Sequence, residues 1–173
     1  CLDLVMSQCE TLEALKLSCS FEGAKIPESS LLGKNVTSFS TWGVQAPIIC
    51  AVLRNARCLK KIRMFQLPGP DNRETFQALI EALSRPQSAV VILRISPILG
   101  PSDESKRLAA ALMNLRVRYL QVKYTTPQPT EEAIRSFVPV ACAGWLRTFD
   151  LTTGELPSET QMQVDIIFAL VLR

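Results

Sequence analysis

Histidine is absent from this chain of 173 residues. Its absence removes the side chain that titrates near neutral pH, the commonest metal ligand, and every Ser-His or Cys-His dyad, which argues against the familiar hydrolases. The six cysteines, Cys1, Cys9, Cys19, Cys50, Cys58 and Cys142, include no Cys-x-x-Cys pair, which argues against a zinc site. Only seven glycines are present, and no Gly-rich phosphate loop follows an apolar segment. Phe, Trp and Tyr make up 6% of the residues, so aliphatic side chains must build the core. Long apolar runs are missing too. Val164 to Leu172 is the most apolar stretch, but it contains Asp165 and falls well short of the roughly 20 residues that cross a bilayer. No signal-peptide pattern is visible, and no membrane association is expected. The formal net charge of +3 is too small to imply nucleic acid by itself.

What the chain does have is a repeat. The pattern Leu-x-x-Leu-x-Leu, with substitutions, recurs six times, beginning at Leu12, Val36, Leu59, Val90, Val117 and Leu146. The starts lie 24, 23, 31, 27 and 29 residues apart. Seventeen of the eighteen motif positions are apolar, and Thr41 is the exception. A period in this range is the mark of a stacked solenoid, whose units bury their apolar faces against one another.

Each copy reads as a short strand with positions one, four and six facing inward. Helical spacing fills most of the gaps: Ile48, Ile49, Val52 and Leu53; Phe76, Leu79, Ile80 and Leu83; Leu108, Ala111, Leu112 and Leu115; and, more briefly, Ile134, Phe137 and Val138 before Pro139. Ser102 before Asp103 and Glu104, and Thr130 before Glu131 and Glu132, read as N-caps with acidic first turns. Turn residues follow the strands at Pro68 to Asn72, Gly100 to Ser102, Pro127 to Pro129 and Gly154 to Ser158. A doubly wound sheet is the rival arrangement. It would bury both strand faces and make the strands continuously apolar. Lys60, Lys61, Arg63, Arg94, Arg118, Gln121, Arg147 and Asp150 interrupt them instead, so one face of the sheet is expected to be wet. The cysteines sit in or beside apolar stretches and are read as buried, reduced thiols, which points to a reducing, intracellular compartment.

Six such units, each followed by helical spacing, resemble the leucine-rich repeat family over roughly residues 9–173. The long units are similar to the intracellular ribonuclease-inhibitor-like repeats and to the cysteine-containing repeats of F-box proteins, and Cys9-x-x-Leu12 matches the cysteine placement of the latter. The Asn or Cys that the family usually carries three residues after the last motif leucine is replaced here by Ser20, Val44, Leu67, Ile98, Thr125 and Gly154. The resemblance implies an α/β fold: a right-handed solenoid, an arc or horseshoe, with parallel strands on the concave face and helices on the convex face. It also implies a binding surface rather than a catalytic centre. Residues 1–173 are expected to form a single domain of about six repeats. The chain opens on Cys1 and stops at Arg173, where the period predicts another strand, so a fragment of a longer protein is expected.

Function is sought on the wet face. Basic residues concentrate there in copies three to six: Lys60, Lys61, Arg63, Arg94, Arg118, Lys123 and Arg147. Trp42, Phe65 and Tyr119 fall within or beside them. Arginine and aromatic residues are enriched in binding hot spots, and arginine pairs bidentately with carboxylate or phosphate. The expected role is therefore non-catalytic recognition of an acidic or phosphorylated protein segment, as in the substrate-recognition part of a ubiquitin ligase. Neither cofactor nor metal is expected. Three alternatives stay open. The cations are a defence of exposed β-surface against aggregation; they bind nucleic acid; or the chain is a scaffold subunit wedged into a large, nucleoprotein-like assembly, with solvent-exposed Val91 and Ile92 as its buried contact.

Overall fold

The computed structural model describes residues 12–18, 33–65, 73–98, 102–124 and 131–153. Six strands form one all-parallel sheet: β1 (Ala14–Leu17), β2 (Ser38–Trp42), β3 (Lys61–Phe65), β4 (Ile92–Ile98), β5 (Tyr119–Tyr124) and β6 (Thr148–Thr153). Their spatial order follows the chain from β1 to β6. The order never reverses, so the sheet lacks the switch point of a doubly wound fold. Between the strands lie α1 (Ala46–Asn55), α2 (Arg73–Ser84), α3 (Ser102–Met113), α4 (Glu131–Arg135) and α5 (Val138–Ala141).

The register follows the repeat. Leu15, Phe39, Ile62, Leu93, Leu120 and Phe149, the fourth motif positions, are successive partners across the sheet. Leu17, Thr41, Met64, Ile95, Val122 and Leu151, the sixth positions, form the next row. Side chains alternate along a strand, so these two rows share one face. That face is covered: the rows join Ile48, Ile49, Leu53, Phe76, Leu79, Leu83, Leu108, Leu112, Ile134 and Phe137 of the helical side in one core. Stacking is continued ahead of the strands by the second motif positions. The carbonyls of Glu13, Thr37, Lys60, Val91 and Arg118 each accept two backbone N–H groups from the next copy, at 2.7 to 3.1 Å.

Local chemistry accounts for the joints. Gly43 turns the chain from β2 toward α1 at φ +62, a conformation open to glycine at little steric cost. Pro47 then occupies the first turn of α1, where its missing N–H is no loss. The β4–β5 register shifts between Ile95 and Ile98, and Pro97, which has no N–H to give the ladder, lies in that interval.

Several expectations change. Cys50 is buried, but Cys58 and Cys142 are exposed free thiols: Cys58 lies in the loop between α1 and β3, and Cys142 caps the end of α5. Burial pushes the Cys50 thiol above its usual range, against a contact with Thr75 Oγ1. Val91 and Ile92 are half-buried rather than exposed. The helical signal around Ile134 is two short helices broken at Ser136–Phe137, and Pro139 lies inside the first turn of the second rather than ending the first. α3 begins at Ser102, with Asp103 and Glu104 in its first turn. Cys1, Cys9, Cys19, the turns at 68–72, 127–129 and 154–158, the cap at Thr130 and the apolar run 164–172 lie outside the described residues. Among the described residues no helix is long and apolar enough to cross a membrane.

Candidate functional site

The third and fifth motif positions alternate with the buried rows and so point to the other face of the sheet. The third-position row runs Ala14, Ser38, Lys61, Ile92, Tyr119 and Thr148, and the fifth runs Lys16, Ser40, Arg63, Arg94, Gln121 and Asp150. No described helix covers this face: Lys16, Lys61, Arg63, Arg94 and Tyr119 are all exposed. The strands therefore hold their charges at fixed spacings of about 4.8 Å.

Each residue expected in the patch has a definite place. Lys60, Arg118 and Arg147 precede β3, β5 and β6, and with Lys61 and Tyr119 they line the end where the strands begin. Arg63 and Arg94 are direct register partners at mid-sheet. Trp42 and Phe65 are partners where β2 and β3 end, with ring centroids 6.1 Å apart and planes tilted by 41°. Lys123 lies toward the far end of β5, opposite Thr152. The surface thus has a basic margin at the strand starts, a pair of arginines in the middle and an aromatic pair at the opposite margin.

The charge imbalance is marked. Among the outward and flanking motif positions, eight cations (Lys16 and the seven named above) face two anions, Glu13 and Asp150. Asp150 is already engaged, accepting a 2.6 Å hydrogen bond from Gln121 Nε2. Those positions carry six net positive charges while the whole chain carries +3, so the rest of the chain is net acidic. Among the described residues none of the eight cations forms an ion pair. Nor do the described residues hold a cluster of acidic or cysteine side chains fit for a metal ion.

One hollow of about 640 Å³ opens on this face over β1 to β4. Its floor is Ala14, Ser38 and Ser40, and its walls are Lys16, Arg63, Arg94, Trp42 and Phe65. A smaller one of about 110 Å³ lies between Arg94, Tyr119, Gln121 and Asp150. The motif-by-motif reading placed the basic residues in copies three to six and passed over Lys16, Ser38 and Ser40. The signal that finds them is size: small residues stand in the outward rows of β1 and β2 beside long cationic ones in β1, β3 and β4.

Fold and surface together define an α/β protein whose sequentially ordered parallel sheet is covered on one face and, among the described residues, open and basic on the other. No family model, curated protein or solved structure matches the chain.

Proposed function

We propose that this chain is a leucine-rich-repeat arc whose open, concave sheet face binds an acidic or phosphorylated segment of a protein partner, without catalysis of its own. The observation that carries this reading is a set of eight cations, Lys16, Lys61, Arg63, Arg94 and Lys123 in register on the strands and Lys60, Arg118 and Arg147 just ahead of them, with no ion-pair partner among the described residues. Like charges on adjacent strands disfavour one another, and a bound anion relieves that repulsion. The sequential strand order and the agreement between motif and register support the repeat assignment.

The test is capture of partners by the chain and by a variant carrying Lys60→Glu, Arg63→Glu, Arg94→Glu and Arg118→Glu, once circular dichroism has shown that both fold. We expect an acidic partner that the parent retains, that salt releases, and that the variant loses. A partner held equally by both would move recognition to the helices and leave the cations as a guard against aggregation.

A scaffold reading is favoured by a different observation. Half-buried Val91 and Ile92 and exposed Tyr119 make an apolar island among the cations, suited to a permanent contact within a larger assembly. Under that reading Ile92→Asp would abolish co-purification with the assembly, whereas the charge reversals would merely weaken it.

A further inference from the structure

We propose that the hollow over β1 to β4 is a pocket for one phosphorylated side chain of a peptide, with the Trp42–Phe65 pair receiving an apolar residue beside it. This rests on the protein-recognition reading above and specifies its chemistry.

Lys16, Ser40, Arg63 and Arg94 are successive register partners on four adjacent strands. Ser40 is short and its two neighbours are long, so the row has a gap between Lys16 and Arg63 into which an anion fits. Arg94 stands directly behind Arg63 and adds a second guanidinium. Three cations around one gap call for more charge than a carboxylate brings. A phosphomonoester carries nearly two negative charges at neutral pH and three strong acceptor oxygens, enough for two guanidiniums and an ammonium. The floor adds the hydroxyls of Ser38 and Ser40 as further donors.

The aromatic wall gives the second half of the site. Trp42 is 57% exposed, a large apolar surface left to water at the rim of a cationic hollow. Tryptophan beside arginine is the composition of a binding hot spot. A free nucleotide would also bring phosphate and a ring. Small-molecule sites, however, enclose most of their ligand. This hollow instead meets, at Arg94, the smaller one lined by Tyr119, Gln121 and Asp150, leaving room for a chain that extends beyond the phosphate.

The experiment uses the full chain on an arrayed library of peptides with a central phosphoserine and varied neighbours, printed beside the same array with serine and with glutamate. A fluorescent adenine nucleotide is titrated in parallel. Three variants accompany the parent: Lys16→Ser with Arg94→Ser in the hollow, Arg118→Ser with Arg147→Ser at the strand starts, and Arg57→Ser with Arg116→Ser in exposed loops. Each removes two charges. We expect phosphoserine peptides with an apolar neighbour to bind and their serine counterparts not to. The hollow variant should lose about tenfold or more in affinity. The strand-start variant should lose less, and the loop variant should match the parent. Equal loss in the hollow and strand-start variants, with glutamate bound as well as phosphoserine, would overturn the pocket and leave diffuse acidic recognition standing. Nucleotide binding without peptide binding would replace the proposed ligand. Binding of neither probe would overturn the pocket and the recognition reading together.

Discussion

Leu93 and Arg94 are neighbours on β4, yet Leu93 is fully buried beneath the helices while Arg94 stands in solvent beside Arg63. The same contrast holds for the two sides of the whole sheet. On the helical side opposite charges meet across successive helices: Arg54 of α1 with Glu74 of α2 at 3.2 Å, and Lys106 of α3 with Glu132 of α4 at 2.6 Å. Arg107 of α3 donates to Gln77 of α2, and Arg85 donates to the carbonyls of Arg54 and Ala56 at 2.9 and 2.8 Å, closing the end of α1. On the open side the cations stand together with no ion pair among the described residues. Among the described residues the acidic residues other than Glu13 and Asp150 belong to the helices: Glu74, Glu81, Asp103, Glu104, Glu131 and Glu132. The helical side uses charge to knit one repeat to the next. The open side keeps its charge available.

Truncating the two neighbours on β4 should separate the two faces most widely. Leu93→Ala should cost about 2–5 kcal/mol of stability through the cavity it leaves. Arg94→Ala should change stability by no more than about 0.5 kcal/mol, as surface substitutions do. Denaturant midpoints measure both. Similar losses for the two would mean that the open face is covered in solution.

A smaller effect of opposite sign is expected at Thr41, the one polar residue in the inward motif rows. It is buried, and its Oγ1 has no hydrogen-bond partner among the described residues. Thr41→Val removes a desolvated hydroxyl with little change of shape, so we expect a gain of about 1 kcal/mol and a rise in Tm of about 2–4 °C. Thermal unfolding checks it. A loss would show that the hydroxyl finds a partner in solution.

The smallest effect concerns the ion pairs that distinguish the helical side. Its hydrogen bond to Glu132 holds the Lys106 ammonium above the usual lysine value of 10.5, and the Glu132 and Asp103 charges add to this. A raised lysine pKa contributes stability that is fully present below the unfolded value and is lost as pH rises through the folded one. Lys106→Gln should therefore lie slightly below the parent in Tm at neutral pH, with the gap closing as pH passes above 10.5. A gap that persists at the highest pH would assign the loss to packing of the lysine stem instead.

The strands were legible in the sequence because one signal specifies them twice. Alternation fixes which residues face inward, and the repeat of that alternation fixes which residues become register partners. Phe39 meets Ile62 and Leu93 because all three hold the fourth motif position. Helix positions followed from the 3.6-residue spacing, since Ile48, Leu79 and Leu112 are each fully buried. Three features could not be read that way. The exposure of Cys58 and Cys142 depends on how the chain leaves the core after α1 and α5 rather than on the apolar residues beside them. The paired N–H bonds to the second-position carbonyls depend on the approach of backbones that no side-chain pattern encodes. The hollow depends on the sizes of residues on four strands, separated along the chain by more than twenty positions at each step.

By itself the sequence determined the strand faces, the partner rows and the concentration of cations on one side, because periodicity is a local property that survives reading one residue at a time. Tertiary structure alone decided which cations share a gap, where small side chains leave that gap open, and that among the described residues the helical side pairs its charges while the sheet side does not. Those outcomes depend on distances between side chains far apart in the chain, and such distances exist only once the strands are laid side by side.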